Sequence, residues 1–255
     1  AVLCNIQAAF SNFEFVFYFS SLIFVIIVPI LTMRTIAEER KQKTDQLLYS
    51  LPITTTQIVL GKYLALLVVS LIPLCIISFY PLIFSLFGDV YLLTSYGSIA
   101  AFFLMGAAFL AMGIFISSLT DNQGFAAGIT IALILFNYYS VSLSEYTSST
   151  MFGSLLTFYA LAIVVGVVVR VLTKNDALAY GVSIVLLLGI AILCFVDSSL
   201  FEGLLPAMTE TLSLFERFNS FVNGVFDMTT IVYYLSVIVF FLFLSVQSLE
   251  KRRYN

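Results

Sequence analysis

Long apolar runs alternate with short polar segments along almost the whole chain. Most runs are close to the roughly 20 residues that cross a bilayer as an α-helix. Stretches such as 161–169 lack the apolar–polar alternation of barrel strands, so the pattern predicts helices. The predicted fold class is all-α, a polytopic integral membrane protein with about seven transmembrane helices in this chain. The predicted spans are 15–33, 63–87, 96–119, 124–143, 151–172, 177–196 and 229–249.

One polar segment, residues 33–62, is long and mixed in character. It carries eight of the chain's 25 charged residues, with apolar residues such as Ile36 and Leu51 between them. A helix with an apolar edge and a charged face suits a protein surface, so we interpret this segment as the contact through which a soluble partner moves the membrane part. The alternative is a set of basic anchors for anionic lipid, which the acidic residues do not favour. The charged residues are Arg34, Glu38, Glu39, Arg40, Lys41, Lys43, Asp45 and Lys62.

A second mixed segment covers residues 198–228. From Pro206 onward its apolar residues recur at helical spacing, with charged and hydroxyl residues between them. This pattern predicts an amphipathic helix that lies in the outer membrane interface or dips into it. The recurring apolar residues are Met208, Leu212, Phe215, Phe218, Val222 and Val225.

Composition supports the membrane assignment, since 61% of the residues are hydrophobic and only 10% are charged. The distribution of positive charge also predicts an orientation. If the segment 33–62 is cytoplasmic, ten of the eleven Lys and Arg residues lie on the cytoplasmic side, with Arg217 as the exception. The C-terminus is then cytoplasmic and residue 1 lies outside, so one more span is expected upstream.

The sequence shows no ion-coupling site and no nucleotide-binding motif that could supply energy for transport. It has no histidine, and no ionisable residue lies in the middle of a predicted span, which disfavours ion-coupled transport and intramembrane catalysis. Gly61 and Lys62 do not form a phosphate-binding loop, because Tyr63 follows them and Thr56 stands in place of the upstream glycine. We therefore predict a subunit that is not an enzyme and receives its energy from a partner.

Four glycines predict close contacts between helices, because small residues let helix backbones approach in a membrane. Packing within the chain and a seam between two copies both remain open. These glycines are Gly106, Gly113, Gly124 and Gly128.

Residues 27–65, IVPILTMRTIAEERKQKTDQLLYSLPITTTQIVLGKYLA, resemble the signature region of ABC-2-type permeases, the membrane subunits of ATP-driven exporters. Residues 116–128, residues 215–244 and the basic end resemble the gliding-motility-like branch of that family. The family often has glycine where Lys43 stands. Shorter members have six spans, so residues 151–196 look like an extra hairpin, and the upstream helix would bring the total to about eight.

The resemblance implies a coupling helix in the segment after the family's second span, seated in a groove of a cytoplasmic ATPase subunit. It also implies outer re-entrant helices before the last span, where Phe215, Phe218, Phe221 and Val222 would help to close an outer gate. From the spacing alone, an ordinary interfacial helix is an equal alternative. The residues implied in coupling, with their charged neighbours in the segment, are Arg34, Glu38, Glu39, Arg40, Lys41, Lys43, Thr44, Asp45, Leu47 and Leu48.

We expect a multi-pass permease of the bacterial plasma membrane that works as a pair with a second copy or homologue. Two ATPase subunits would hold ATP and Mg²⁺, and this chain would bind no cofactor. The apolar spans favour a hydrophobic or amphipathic cargo, and no nucleic-acid partner is expected. One alternative is an ion-coupled carrier or channel. The other is an ATP-driven mechanical or scaffold complex that acts on an extracytoplasmic-domain membrane subunit without transport.

Overall fold

All secondary structure that the computed structural model describes is helical, with no strand among these residues. This agrees with the predicted all-α class. The described residues are 15–45, 52–86, 90–146, 155, 158–159, 162–163, 166, 176–196 and 204–253. In chain order the helices are α1 (Phe15–Ser20), a 3-10 turn (Ser21–Ile23), α2 (Phe24–Thr32), α3 (Ala37–Gln42), α4 (Thr55–Ile77), α5 (Tyr80–Ser85), α6 (Leu92–Leu119), α7 (Gln123–Tyr146), α8 (Asp176–Val196), α9 (Leu204–Leu212), α10 (Leu214–Val222) and α11 (Met228–Arg253).

Four helical stretches among the described residues are long and apolar enough to cross a membrane. They correspond to the first, second, third and last predicted spans. α7 and α8 coincide with the fourth and sixth predicted spans, and most of 151–172 lies outside the described residues. The total of seven therefore stays a prediction. The four stretches are Ser21–Gln42, Thr55–Ser85, Leu92–Leu119 and Met228–Arg252.

Helix α4 begins eight residues before the predicted span at Tyr63, because Thr54 forms a capping box with Gln57. The Thr54 hydroxyl accepts a hydrogen bond from the Gln57 backbone N–H at 3.2 Å, and the Gln57 side chain accepts one from the Thr54 N–H at 3.0 Å. Such a cap satisfies backbone donors that a helix start leaves free. The predicted polar segment 33–62 is therefore divided, since residues 55–62 already belong to α4.

The chain divides into two compact units, and the larger one is formed by Ala1–Tyr138 with Leu214–Asn255. Helix α6 is central to this unit, since α2, α4, α10 and α11 all contact it. Its small residues permit the close approach: a Cβ at Gly106 would lie 2.8 Å from Cε1 of Phe24, and one at Gly113 would lie 2.7 Å from Cγ2 of Thr32. Buried side chains from other helices that belong to the same hydrophobic core as α6 include Phe17, Val28, Tyr63, Phe215, Phe218 and Tyr234.

The smaller unit is Tyr139–Ser213, which contains the end of α7 and the helices α8 and α9. Large apolar side chains on α8, such as Val185 and Leu188, are exposed, as expected for a helix surface in contact with lipid. On α9, Met208 and Leu212 are also exposed. The predicted apolar stripe from Met208 to Val225 is therefore not one continuous buried face.

Candidate coupling site

Polar side chains gather at one end of the larger unit, where α2, α6 and α11 end and α4 begins. We call this region, residues 32–45, 52–63, 117–123 and 245–253, the charged end. Helix α3 lies here, and Ser117 near the end of α6 holds its first turn. The Ser117 hydroxyl accepts hydrogen bonds from the backbone N–H groups of Ile36 at 3.2 Å and Ala37 at 3.1 Å. One side chain thus satisfies two buried donors and fixes α3 to α6.

Helix α3 ends in a left-handed residue. Lys43 has a φ of 57°, its N–H donates to the Arg40 carbonyl at 3.1 Å, and the Thr44 N–H donates to the Glu39 carbonyl at 3.0 Å. This pair of bonds is a Schellman motif, in which glycine is the usual left-handed residue. The geometry gives a physical reason for the glycine that the resemblance leads us to expect at this position.

Lys62 joins α3 to α4. Its Nζ lies 2.5 Å from Oε1 of Glu39 and donates a hydrogen bond to the Thr35 carbonyl at 2.6 Å. The ammonium group therefore satisfies a carbonyl in the turn before α3 and pairs with a carboxylate on α3 itself. Charge-assisted hydrogen bonds of this kind are stronger than neutral ones.

Asp121, in the turn between α6 and α7, lies between two arginines. Arg252 of α11 donates two hydrogen bonds to its carboxylate, at 2.7 and 3.3 Å. The Arg40 Nη1 lies 3.9 Å from the same carboxylate, and the Arg40 side chain is only 1% exposed. The hydrogen bond from Arg252 is the main reason that the pKa of Asp121 is lowered, with smaller electrostatic contributions from both arginines. Asp121 therefore stays ionised at neutral pH and joins α3 to α11.

The last two turns of α11 make two further contacts at the charged end. The Ser248 hydroxyl donates to the Ser118 carbonyl at 3.1 Å, and the Glu250 carboxylate accepts a hydrogen bond from the Thr55 hydroxyl at 2.9 Å. The ends of α6 and α11 and the start of α4 are therefore all connected to each other or to α3.

The predicted coupling residues fall into two groups. Glu39 and Arg40 face other parts of this chain, toward Lys62 and Asp121. The other group is exposed or partly exposed: Arg34, Glu38, Lys41, Lys43, Thr44 and Asp45. Leu47 and Leu48 lie outside the described residues.

Sequence reasoning did not single out Ser117, Asp121, Glu250 or Arg252, which hold α3 or the helices beside it. A signal for Asp121 was available. It is an acid in a short turn predicted to lie on the same side as ten of the eleven Lys and Arg residues. Nothing in the sequence pattern marks Ser117 among the other small residues of α6.

The aromatic residues proposed for an outer gate lie on α10, and all are buried. The Phe215 ring lies 5.1 Å, between centroids, from both Phe109 and Tyr138. Phe218 lies 5.9 Å from Phe102. Helix α10 therefore runs along α6, and its first turn lies beside Phe109, about 15 Å along α6 from Leu119. Phe221 and Val222 are buried as well.

Polar side chains satisfy the backbone at both ends of α10. The Leu214 N–H donates to the Asn137 side chain at 3.0 Å, and the Tyr234 hydroxyl donates to the Leu214 carbonyl at 2.8 Å. The Ser98 hydroxyl donates to the Phe221 carbonyl at 2.9 Å. A helix end buried alongside membrane spans needs such partners, because lipid offers none.

Arg217, the basic residue that the predicted orientation leaves on the outer side, lies on α10. Its guanidinium carbon lies 4.3 Å from the centre of the Tyr233 ring. Contact with an aromatic face stabilises a cation that is partly removed from water.

The four glycines predicted to mediate helix contacts have different surroundings. Gly106 and Gly113 lie against α2, as described above. A Cβ at Gly124 would meet only the Asn122 side chain, at 3.5 Å, and one at Gly128 would meet nothing within 4 Å in the described part of the chain.

The described residues contain no group of three or more His, Cys, Asp and Glu residues that could hold a metal ion. An apolar cavity of about 230 Å³ lies between α2, α4 and α6. Its lining includes Ile27, Pro73 and Phe103.

The family model described as ABC-2 family transporter protein matches residues 5–196, which include the segment 33–62 and helices α1 to α8. This chain belongs to the ABC-2 transporter family. The permease is thus a membrane subunit of an ABC transporter, in a family whose members are generally non-catalytic and work with an ATPase partner. No curated protein and no solved structure matches the chain. Membership of the gliding-motility-like branch stays a prediction.

Proposed function

We propose that the permease transmits ATP binding and hydrolysis by a separate cytoplasmic ATPase into an outward-directed movement of its membrane helices. The observation that carries this proposal is the position of α3. One side of it is bound to Ser117, Lys62 and Asp121, and its other side presents exposed Lys41 and Lys43. An element held by three membrane helices and open on its other face suits the transfer of movement from a soluble partner.

The partner would supply the nucleotide chemistry. ATP and Mg²⁺ would bind to two ATPase subunits, each seated on one permease copy, in the plasma membrane of a bacterium with the charged end in the cytoplasm. Closure of the ATPase subunits would draw the two α3 helices together.

The connections of α3 disfavour a movement in which α3 shifts while the membrane helices stay in place. Because Ser117, Lys62 and Asp121 bind α3 to α6, α4 and α11, movement of α3 would displace these helices as a group. Helix α10 runs along α6 from Phe109 toward the end away from the charged end, so the displacement would change the packing of its buried aromatic side chains. The exported cargo would be hydrophobic or amphipathic, since the predicted spans are apolar and carry no ionisable residue in their middle.

The test compares basic residues on and off α3. The double substitution Lys41→Glu with Lys43→Glu reverses two exposed charges on the proposed docking face. Lys251→Glu reverses an exposed charge on α11. Each variant is co-purified with the cognate ATPase, and binding and ATP hydrolysis are measured in nanodiscs. We expect the double variant to bind the ATPase at least about tenfold more weakly, the size of a loss of about 1.4 kcal/mol, and Lys251→Glu to bind normally.

Equal binding by the double variant and the wild type would contradict the proposal.

Transport is then tested with the wild-type complex in vesicles that contain a fluorescent phospholipid. Movement of the phospholipid on addition of MgATP supports export of a hydrophobic cargo. ATP hydrolysis that depends on α3 without such movement would favour the mechanical alternative.

A further inference from the structure

Asp121 lies in a stiff turn that connects two long helices. The Asn122 N–H donates to the Thr120 hydroxyl at 3.2 Å. The Asn122 side chain in turn accepts hydrogen bonds from the N–H groups of Gly124 and Phe125 at 3.0 and 3.3 Å, which caps the start of α7. A force on the Asp121 carboxylate is therefore passed directly to the end of α6 and the start of α7.

The carboxylate is shared by two cations from different elements. The hydrogen bonds from Arg252 are bidentate, and Arg252 is partly exposed, whereas the Arg40 side chain is almost completely buried. A buried guanidinium strongly favours a nearby anion, because its own desolvation is costly. Arg40 and Asp121 should therefore move together when α3 is displaced.

The other contacts of α3 with α6 are different in kind. Ser117 accepts neutral hydrogen bonds from the backbone, and these hold the first turn of α3 only. The Arg40–Asp121 ion pair acts one turn later, and it is the contact that also reaches α11 through Arg252. Loss of the Asp121 charge would leave α3 attached through Ser117 and Lys62, while it would remove the ion-pair connection between α3 and α11.

We propose that Asp121 is a positioning residue that transmits the movement of α3 to α6, α7 and α11 through Arg40 and Arg252. This inference rests on the proposed function, since it requires an ATPase that moves α3. It assigns a role in coupling to the turn between α6 and α7, and this turn lies outside the segment 33–62.

The experiment follows two probes in the complex with the ATPase. Cys4, Cys75 and Cys194 are replaced by alanine, and an environment-sensitive fluorophore is attached at Leu93→Cys on α6 or Met228→Cys on α11. Both positions are well exposed, and both lie at the ends of their helices away from the charged end. The readouts are ATPase binding, the rate of ATP hydrolysis and the MgATP-dependent fluorescence change.

In Asp121→Asn we expect binding and hydrolysis to stay within about twofold of the wild type, while the fluorescence change at both probes falls about fivefold or more. Asp121→Glu keeps the charge and should restore the change. Asp176→Asn, the same chemical change at an exposed position on α8, should leave all readouts unaffected.

Arg252→Gln provides an independent variant if Asp121→Asn does not fold, because exposed ion pairs contribute little to folding. It should reduce the signal at Met228→Cys and preserve the signal at Leu93→Cys. An unchanged signal at Met228→Cys in this variant overturns the inference. So does an Asp121→Asn complex in which both signals persist, or in which binding, hydrolysis and signals fall in parallel. A wild-type complex with ATPase bound but no MgATP-dependent signal overturns the proposed function, and the inference with it.

Discussion

Several side chains of the larger unit bond to backbone groups near the ends of helices. Ser117 accepts from two N–H groups at the start of α3, and Lys62 donates to the Thr35 carbonyl in the turn before it. Ser98 does the same for the Phe221 carbonyl in the last turn of α10. Near a membrane such groups have few other partners, so each of these side chains determines whether a break in a helix is tolerated.

Lys43 is in a backbone conformation that costs a non-glycine residue about 1 kcal/mol. We expect Lys43→Gly to raise the thermal unfolding midpoint in detergent, with a net gain of up to about 1 kcal/mol after the greater chain entropy of glycine is included. Lys41→Gly is the control, since Lys41 lies in the body of α3, where glycine destabilises a helix. Its midpoint should fall. A lower midpoint for Lys43→Gly would show that the left-handed residue is not under strain.

Adjacent serines at the end of α6 offer a second comparison. Ser117→Ala should destabilise the permease by about 1–3 kcal/mol, because the N–H groups of Ile36 and Ala37 lose their buried acceptor. Ser118→Ala removes a hydroxyl that donates only to the Phe115 carbonyl of its own helix, and it should have a much smaller effect. The measurement is thermal unfolding followed by circular dichroism, since the chain has no tryptophan for fluorescence. Equal effects of the two substitutions would contradict the role assigned to Ser117.

Among the helices, α6 shows how element packing depends on the size of side chains. Gly106 and Gly113 are seven residues apart on the side that meets α2, and larger residues there would collide with Phe24 and Thr32. Helices in a membrane lack a hydrophobic drive toward each other, so this close fit contributes much of their attraction. The opposite case is α7, where the surface at Gly128 is open in the described part of the chain.

A matched pair of substitutions tests this difference. Gly113→Ala should lower the unfolding midpoint, with a cost of about 1–3 kcal/mol for overpacking against Thr32. Gly128→Ala meets no neighbour in this chain and should be neutral or slightly stabilising in the monomer. Midpoints are compared in the same detergent at the same concentration. A neutral Gly113→Ala would mean that α2 and α6 separate easily.

The elements that could be predicted from the sequence are those whose signal is local. Apolar runs placed the long helices, and α6 and α11 begin within four residues of their predicted positions. The start of α4 was wrong by eight residues because the capping box at Thr54 lies in a segment interpreted as polar. Helical spacing after Pro206 found α10, but not the interruption at Ser213 that separates it from α9.

The rest depends on contacts between distant parts of the chain. Arg40 and Lys41 are neighbours of the same charge, yet Arg40 is buried and Lys41 is exposed. Arg40 lies 3.9 Å from Asp121, which is 81 residues away in the sequence, and no local pattern predicts that contact. Similarly, the burial of Phe215 and Phe218 depends on partners in α6 and α7 rather than on their own spacing.

At the scale of the whole molecule, the larger unit gathers one set of helix ends and most of its described basic residues at the charged end. The predicted topology requires this arrangement, because α2, α6 and α11 must cross in one direction and α4 in the other. The structure agrees with that requirement, and the distribution of positive charge predicts that the charged end lies in the cytoplasm.

Labelling of single cysteines in intact cells would show on which side of the membrane the charged end lies. In the background without native cysteines, Leu93→Cys should react with a membrane-impermeant maleimide in intact cells. Gln42→Cys, exposed on α3, should react only after the membrane is permeabilised. The reverse pattern would place the charged end outside and exclude contact with a cytoplasmic ATPase.

The central position of α6 shows that its sequence meets two separate requirements, one in the folded protein and one during membrane insertion. Its most apolar window has a mean hydropathy of 2.5, equal to that of the α4–α5 stretch, yet 78% of this window is buried in the protein against 11% for the other. In the finished molecule α6 thus meets little lipid. Its hydrophobicity is required earlier, during membrane insertion, when each new segment must partition from the translocon into the bilayer before its neighbours enclose it.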